Sequence, residues 1–152
     1  MRPETAFESI NIDVIGEIVP NSSKGHKYIL CVLDMHSRWI ECFPLKTLTA
    51  RETCDRLMEC FMKFGIPITL TSDNATNMVS GLNRELYQRL GVELNLSTPL
   101  HPAHNGAVER RNATVKAMLH HVINDCGRGW AEKLPYSLCC GLIAKCRIRL
   151  LP

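Results

Sequence analysis

The N-terminal part of the chain alternates between apolar stretches and short polar turns. Segment 7–15 places apolar and polar residues at alternate positions, which predicts a half-buried β-strand. A turn cluster at 21–25 separates it from a second strand at 27–34, which is rich in Val, Ile, Leu and Tyr. A short turn leads to a third strand at 38–44, which Pro44 closes. The pattern therefore predicts an antiparallel meander of three strands.

The rest of the chain follows mainly helical periodicity. Thr49 and Glu52 have the spacing of a capping box, and apolar residues then recur at helical intervals until Gly65. The further predicted elements are a strand at 67–71, a helix at about 79–90, a strand at 92–96, a loop at 97–106, a long helix from 105 or 106 to about 125, and a last helix at 130–145. This order predicts an α/β fold with a mixed five-stranded sheet flanked by helices.

A single domain accounts for the whole pattern. No repeat, low-complexity tract or charged linker divides the 152 residues, of which 45% are apolar and 22% are charged. No apolar run approaches the roughly 18–20 residues of a membrane span. The first residues also lack the apolar stretch of a secretory signal. We therefore expect one globular domain over 1–152 and no membrane partner.

The eight cysteines include no Cys-x-x-Cys pair. Cys31, Cys42 and Cys60 lie inside apolar runs, which favours buried free thiols over a disulfide framework. We accordingly expect a reducing, intracellular compartment.

The formal net charge of +3 hides an asymmetry along the chain. Residues 1–109 carry 10 basic and 13 acidic side chains, whereas residues 110–152 carry 8 basic and 2 acidic ones. Such a basic segment is consistent with a solvated helix face. After a set of acidic residues, it also suits a protein that grips a polyanion while its acids hold metal ions.

Three carboxylates stand out by their positions in the predicted elements. Asp13 lies at the end of the first strand, Asp73 directly follows the fourth, and Glu109 lies near the start of the long helix. Converging carboxylates are the oxygen ligands that Mg²⁺ and Mn²⁺ prefer. Taken singly, Asp73 also fits a turn and Glu109 a first helical turn. Asp34, which precedes a turn, is more typical of a hairpin cap than of a metal ligand.

Short motifs surround these three acids along most of the chain. Thirty-five residues separate Asp73 from Glu109. The motifs are Asp13-Val-Ile-Gly16, Gly25-His-Lys-Tyr28-Ile-Leu30 leading to Asp34, Ser37-Arg38-Trp39-Ile40-Glu41, Phe64-Gly65-Ile66-Pro67, Ser72-Asp73-Asn74, and the run from Ser97-Thr98-Pro99 to Lys116.

In this order, over about residues 8–138, the motifs resemble the D-D-E catalytic core of retroviral integrases. The local sequences of the motifs are more similar to those in the integrases of gypsy-type long-terminal-repeat retrotransposons. The resemblance implies a ribonuclease H-like fold. It also implies that Asp13, Asp73 and Glu109 are catalytic and bind two Mg²⁺ or Mn²⁺ ions.

The same resemblance implies two reactions at phosphodiesters. Water trims the 3′ end of the element's DNA, and the exposed 3′-hydroxyl then attacks a target strand. The implied partners are the element ends, the target DNA and further copies of the chain, without a small-molecule cofactor. The implied location of the active protein is the nucleus.

The resemblance further implies DNA contacts near the metals. Asn112 and Lys116 share a helix face with Glu109, because they follow it at helical spacing. A solvated helix side is the alternative for each of them. The segment Pro99–Gly106 resembles a mobile active-site loop that contains His101, with Asn105 and Gly106 as its flexible joint.

Departures from the family pattern leave a second function open. Ala75 stands where the family usually has glycine, and the family's C-terminal pattern is not legible after Ser137. The chain resembles a catalytic core cut from a longer polyprotein, or a degraded copy of one. The alternative to an active enzyme is therefore an inactive or domesticated integrase fold that binds nucleic acid or a protein. A nuclease acting on RNA in hybrids is a third, weaker interpretation.

Overall fold

The computed structural model describes residues 4–72, 80–96 and 102–136, with the backbone alone at 102–109, 111 and 112. The strands are β1 (Ser9–Gly16), β2 (Tyr28–Asp34), β3 (Ile40–Leu45), β4 (Thr69–Ser72) and β5 (Glu93–Leu96). The helices are α1 (Ala50–Phe64), α2 (Gly81–Leu90), α3 (Pro102–Cys126), a 3-10 turn (Gly127–Gly129) and a helix that includes 130–136, here α4.

The strands form one mixed sheet in the order β3-β2-β1-β4-β5. β1, β2 and β3 pair antiparallel, which confirms the predicted meander, and β4 and β5 run parallel to β1. The prediction that Pro44 closes the third strand is wrong, because β3 continues to Leu45 and pairs Pro44 with Ile29. β3 lies at the sheet edge, where a residue without an N–H group is tolerated.

Each face of the sheet is covered by different helices. Alternate strand residues such as Ile10 and Ile12 pack on one face against α1 and α2. The opposite face packs against α3 and α4 through the second cluster of buried side chains. That cluster contains Ile18, Ile29, Cys31, Leu33, Ile40, Val115, Leu119, Val122, Ile123, Trp130 and Leu134. We call this second surface the α3 face.

Helix α1 begins as its sequence predicts. The Thr49 side chain accepts a hydrogen bond from the backbone N–H of Glu52 at 3.3 Å. The Glu52 carboxylate, however, accepts from the backbone N–H groups of Lys46 (2.8 Å) and Thr47 (2.9 Å), and not from that of Thr49. Glu52 therefore holds the backbone of the segment that precedes the helix in place. Gly65, at a φ of 98°, ends it.

Helix α3 begins earlier than its sequence suggests. The predicted start is Asn105 or Gly106, whereas the helix starts at Pro102, so residues 102–104, predicted as loop, have helical backbone. Proline is favourable at a first helical position, where its missing N–H would be unpaired in any case and its φ already suits the helix. The Asn105-Gly106 pair, a turn signal in isolation, lies inside this first part of α3.

Asp34 is fully buried and caps the turn between β2 and β3. Its carboxylate accepts hydrogen bonds from the backbone N–H groups of Phe7 (3.0 Å), His36 (3.3 Å) and Ser37 (2.8 Å), and from the Ser37 hydroxyl. Burial by itself raises the pKa of Asp34, but the bonds from Ser37, Phe7 and His36 outweigh it, so the pKa is lowered. The predicted hairpin cap is confirmed.

We expect Asp34→Ala to lower the free energy of unfolding at neutral pH by roughly 2–4 kcal/mol, because it leaves several buried donors unpaired. The lowered pKa means that the carboxylate stabilises the fold fully above its unfolded pKa of about 4. This contribution is lost as the pH falls through the folded-state value. Urea denaturation at neutral and acidic pH measures both effects, and the deficit of the variant should shrink in acid.

The matched control is Asp55→Ala, which removes an exposed carboxylate of α1. It should change the free energy of unfolding by no more than about 0.5 kcal/mol. A similar loss in both variants, or a deficit for Asp34→Ala that does not depend on pH, contradicts the capping role.

Candidate active site

Asp13 lies on the α3 face, three residues before the end of β1 and opposite Cys31 of β2. Its side chain is 15% exposed. One carboxylate oxygen, Oδ1, accepts a hydrogen bond from the backbone N–H of Val14 at 2.9 Å. The other, Oδ2, is directed to α3. A nearly buried carboxylate in a sheet is costly unless a cation or donors compensate it, so its surroundings decide its role.

Lys116 of α3 provides that cation. Its Nζ lies 3.4 Å from Oδ2 of Asp13, while its side chain remains 47% exposed. An ion pair with this much exposure adds little stability. Its neighbour Val115 is buried against the sheet, and this packing holds the helix in position. The pair therefore shows which turn of α3 faces Asp13.

The last described residue of β4 is also close to Asp13. β4 runs parallel to β1, and the buried Ser72 pairs with Ile12, the residue before Asp13. Asp73 is the next residue along the chain and lies outside the described residues, as does Ala75. The structure thus brings the strand that precedes Asp73 to Asp13, and the position of Asp73 itself stays a prediction.

The backbone of Glu109 lies in α3, seven residues before Lys116. At 1.5 Å per residue, this is about 10 Å along the helix axis, or nearly two turns, so both residues share a helix face. Asn112 lies between them, three residues after Glu109 and four before Lys116, which is again helical spacing. The side chains of Glu109 and Asn112 are outside the described part of the chain.

The other three predicted DNA contacts are Asn105, Gly106 and His101, which are expected in a loop before α3. Asn105 and Gly106 belong to the helical backbone of α3, so the prediction of a flexible loop joint at these residues is wrong. His101 precedes the helix and lies outside the described residues. A role of these residues in DNA binding stays a prediction.

A depression of about 260 Å³, which includes open solvent, adjoins Asp13 on the α3 face. Asn11 belongs to its wall and is 7% exposed. No sequence motif singles out Asn11, although the period of two in β1 places it on the same face as Asp13. The remaining wall residues are Ile15, Cys31, Leu33, Ile40 and Val115.

Cys31 separates the depression from the next strand. Its Sγ lies 3.4 Å from Sγ of Cys42, and both thiols are free. The contact with Cys42 and burial raise the pKa of the Cys31 thiol well above its usual range. Cys31 therefore adds no negative charge beside Asp13.

The donor chemistry at Asp13 suits a hard divalent cation. Carboxylate oxygen is the ligand that Mg²⁺ and Mn²⁺ prefer, and here it already attracts the ammonium group of Lys116. Within 4–72, 80–96 and 102–136, no group of three His, Cys, Asp or Glu side chains is arranged to hold a metal ion. Asp13 is the member of the predicted triad whose side chain the structure describes.

Comparison with known sequences identifies the family. The family described as Integrase core domain matches residues 3–102. The chain belongs to the integrase core family. The match ends at Pro102, the first residue of α3, so Glu109 and the rest of that helix lie beyond it.

This integrase core is similar to segments of retroviral polyproteins. It is 36% identical to the Gag-Pol polyprotein of Koala retrovirus and 37% identical to that of Gibbon ape leukemia virus, each over 116 residues and 75% of the chain. It is 36% identical over 116 residues to the Pol polyprotein of Radiation murine leukemia virus (strain Kaplan). The matched segment spans 7% of the two Gag-Pol polyproteins and 20% of the Pol polyprotein.

Solved structures show the same fold. The catalytic core domain of HTLV-2 integrase, in complex with magnesium and in trimeric form, has a TM-score of 0.68 at 19% identity, covering 90% of this chain and 86% of that one. An intasome of simian T-cell lymphotropic virus, in complex with PP2A regulatory subunit B56 gamma, has a TM-score of 0.73 at 19% identity, covering 91% and 49%. The ribonuclease H-like fold is confirmed.

Proposed function

We propose that this integrase core catalyses the metal-dependent transfer of polynucleotide strands by which an element's DNA enters a target. The observation that carries the proposal is the Asp13 carboxylate, held on the α3 face with one oxygen 3.4 Å from the Lys116 ammonium. β4 ends beside this carboxylate, at the residue before Asp73. Lys116 belongs to the same helix face as Glu109. The proposal thus rests on the described position of Asp13, on the end of β4 beside it and on the backbone of α3, and it extends these to Asp73 and Glu109.

The proposed metal ligands are Asp13, Asp73 and Glu109. When bound, two Mg²⁺ or Mn²⁺ ions would activate the attacking oxygen and stabilise the leaving oxygen of an in-line displacement at phosphorus. The two proposed reactions are trimming of the element's 3′ end by water and attack of the new 3′-hydroxyl on the target. The protein's own contribution is the positioning of these carboxylates and of the DNA, since neither reaction needs a protein nucleophile.

Exposed basic residues of α3 support DNA as the partner. Arg110, Lys116 and His120 are exposed on the helix that packs beside Asp13. Their chain segment is the one with 8 basic and 2 acidic side chains. Such a surface lowers the cost of bringing a phosphate backbone close to a carboxylate cluster.

The partners and location form part of the same proposal. We propose the element ends and the target DNA as substrates, a homo-oligomer as the working unit, and the nucleus as the location of the active protein. A trimeric catalytic core and an intasome among the structural relatives support assembly. In the described part of the chain, no helix is both long and apolar enough to span a membrane.

We expect the purified chain, with Mn²⁺, to cleave or resolve branched DNA that carries matched element ends. Asp13→Asn, Asp73→Asn and Glu109→Gln should each reduce the rate at least about 100-fold, because each removes metal-binding charge that stabilises the transition state. Asp55→Asn, which changes an exposed residue of α1, is the control and should keep full activity. Gel assays of labelled DNA measure the rates.

Two outcomes contradict this proposal. One is cleavage that persists in Asp73→Asn. The other is a folded wild-type chain that does not bind Mn²⁺ and does not cleave DNA. That result favours the alternative of an inactive integrase fold that only binds a partner.

We expect Lys116→Gln to change metal binding and DNA binding in opposite directions. It removes the cation that competes for Asp13, so Mn²⁺ affinity should rise roughly two- to fivefold, as for other exposed ion pairs. DNA affinity should fall. The slope of the logarithm of DNA affinity against the logarithm of salt concentration should decrease in magnitude by about one. Calorimetry with Mn²⁺ and fluorescence anisotropy at several salt concentrations measure the two effects.

Lys24→Gln is the matched control, because Lys24 pairs with Glu132 at 3.8 Å and not with Asp13. It should leave Mn²⁺ affinity unchanged. Weaker Mn²⁺ binding in Lys116→Gln would show that Lys116 supports the metal site instead of competing with it.

A further inference from the structure

A pair of thiols faces the same side of the sheet as Asp13. Cys31 of β2 and Cys42 of β3 are direct partners in the antiparallel ladder, and their Sγ atoms lie 3.4 Å apart. Directly opposed residues in such a ladder have Cα atoms about 4.5–5.5 Å apart. This range lies inside the 4.4–6.8 Å usual for disulfides. The backbone therefore needs little movement to allow a bond between the two sulfurs.

The two cysteines differ in their access to solvent. Cys31 is buried between Cys42 and the depression beside Asp13. Cys42 is half-buried on the edge strand β3, where a small solute can reach it. A reagent in solution therefore reaches the Cys42 sulfur first. The Cys31 sulfur can then react with the modified Cys42.

Other described cysteines lack this arrangement. Cys60 is buried on the opposite face of the sheet, in the cluster formed with α1 and α2. Cys54 and Cys126 are half-buried and free. Among the cysteines that the structure describes, Cys31 and Cys42 are the two whose sulfurs are in contact.

We propose that Cys31 and Cys42 form an oxidisable dithiol that a peroxide converts to a cross-strand disulfide. The Cys42 thiolate attacks one peroxide oxygen, the O–O bond breaks, and the sulfur becomes a sulfenic acid while hydroxide leaves. The Cys31 sulfur then attacks the sulfenic sulfur and displaces its hydroxyl group, which takes the Cys31 proton and leaves as water. The two sulfurs lose two electrons in total, and these reduce the peroxide to water.

The disulfide would join the edge strand to the strand next to Asp13. It changes the wall of the depression, because Cys31 is one of its lining residues. It also adds a covalent link between β2 and β3, which restricts the unfolded chain and raises stability. Neither effect depends on the proposed strand-transfer activity.

The test exposes the reduced 152-residue chain to hydrogen peroxide, blocks the remaining thiols and maps the peptides without reduction. We expect one dominant bridged peptide that joins Cys31 to Cys42 and disappears on treatment with dithiothreitol. Cys60→Ser, the control, should form the same bridge to the same extent. In Cys42→Ser, Cys31 should stay a free thiol under the same conditions.

Thermal unfolding gives a second readout that does not depend on the variants folding well. The oxidised wild-type chain should unfold at a temperature higher by roughly 5 °C or more, and reduction should reverse the shift. A Cys42 that ends as sulfinic acid, or that bridges to any cysteine other than Cys31, overturns the proposal. A bridged chain without a change in unfolding temperature contradicts the stabilising effect of the link.

Discussion

The packing of α3 against one face of the sheet is the constraint on which the candidate site depends. Val115, Leu119 and Val122 recur at helical spacing and are buried against β2 and its neighbours. This apolar contact fixes the rotation of α3 about its axis. Lys116 is thereby directed at Asp13 of the central strand β1, and the two side chains form an ion pair. Burial of apolar side chains thus determines which charged groups meet, while the ion pair itself adds little to stability.

Much of this arrangement follows from local sequence. The alternation around Asp13 is enough to predict β1 and the face of the sheet, because a strand repeats every two residues. Thr49 predicts the start of α1, since few residue types can cap an N-terminus. The order of strands and helices predicts a mixed sheet. The position of Asp34 at the end of a strand predicts a turn cap, because an acid there can accept hydrogen bonds from several backbone N–H groups.

Other features depend on contacts that local sequence does not specify. Pro44 is tolerated inside β3 because that strand lies at the edge, a property of the whole sheet. Pro102 is both a plausible loop residue and a favourable first helical residue, and in the structure it begins α3. The Cys31–Cys42 contact requires the register between β2 and β3. The roles of Asp73 and Glu109 stay predictions, because Asp73 lies outside the described residues and only the backbone of Glu109 is described.

One long-range hydrogen bond affects how the chain is made. The indole N–H of Trp130 donates to the carbonyl oxygen of Pro20 at 3.1 Å, across 110 positions of sequence. At ribosomal rates, about 10 seconds pass between the synthesis of these two residues. The first three strands are synthesised before α3 and α4, so their apolar α3 face has no cover until those helices are made. Incomplete chains that expose such apolar surface are prone to aggregate, so the protection of this sheet depends on helices that are made after it.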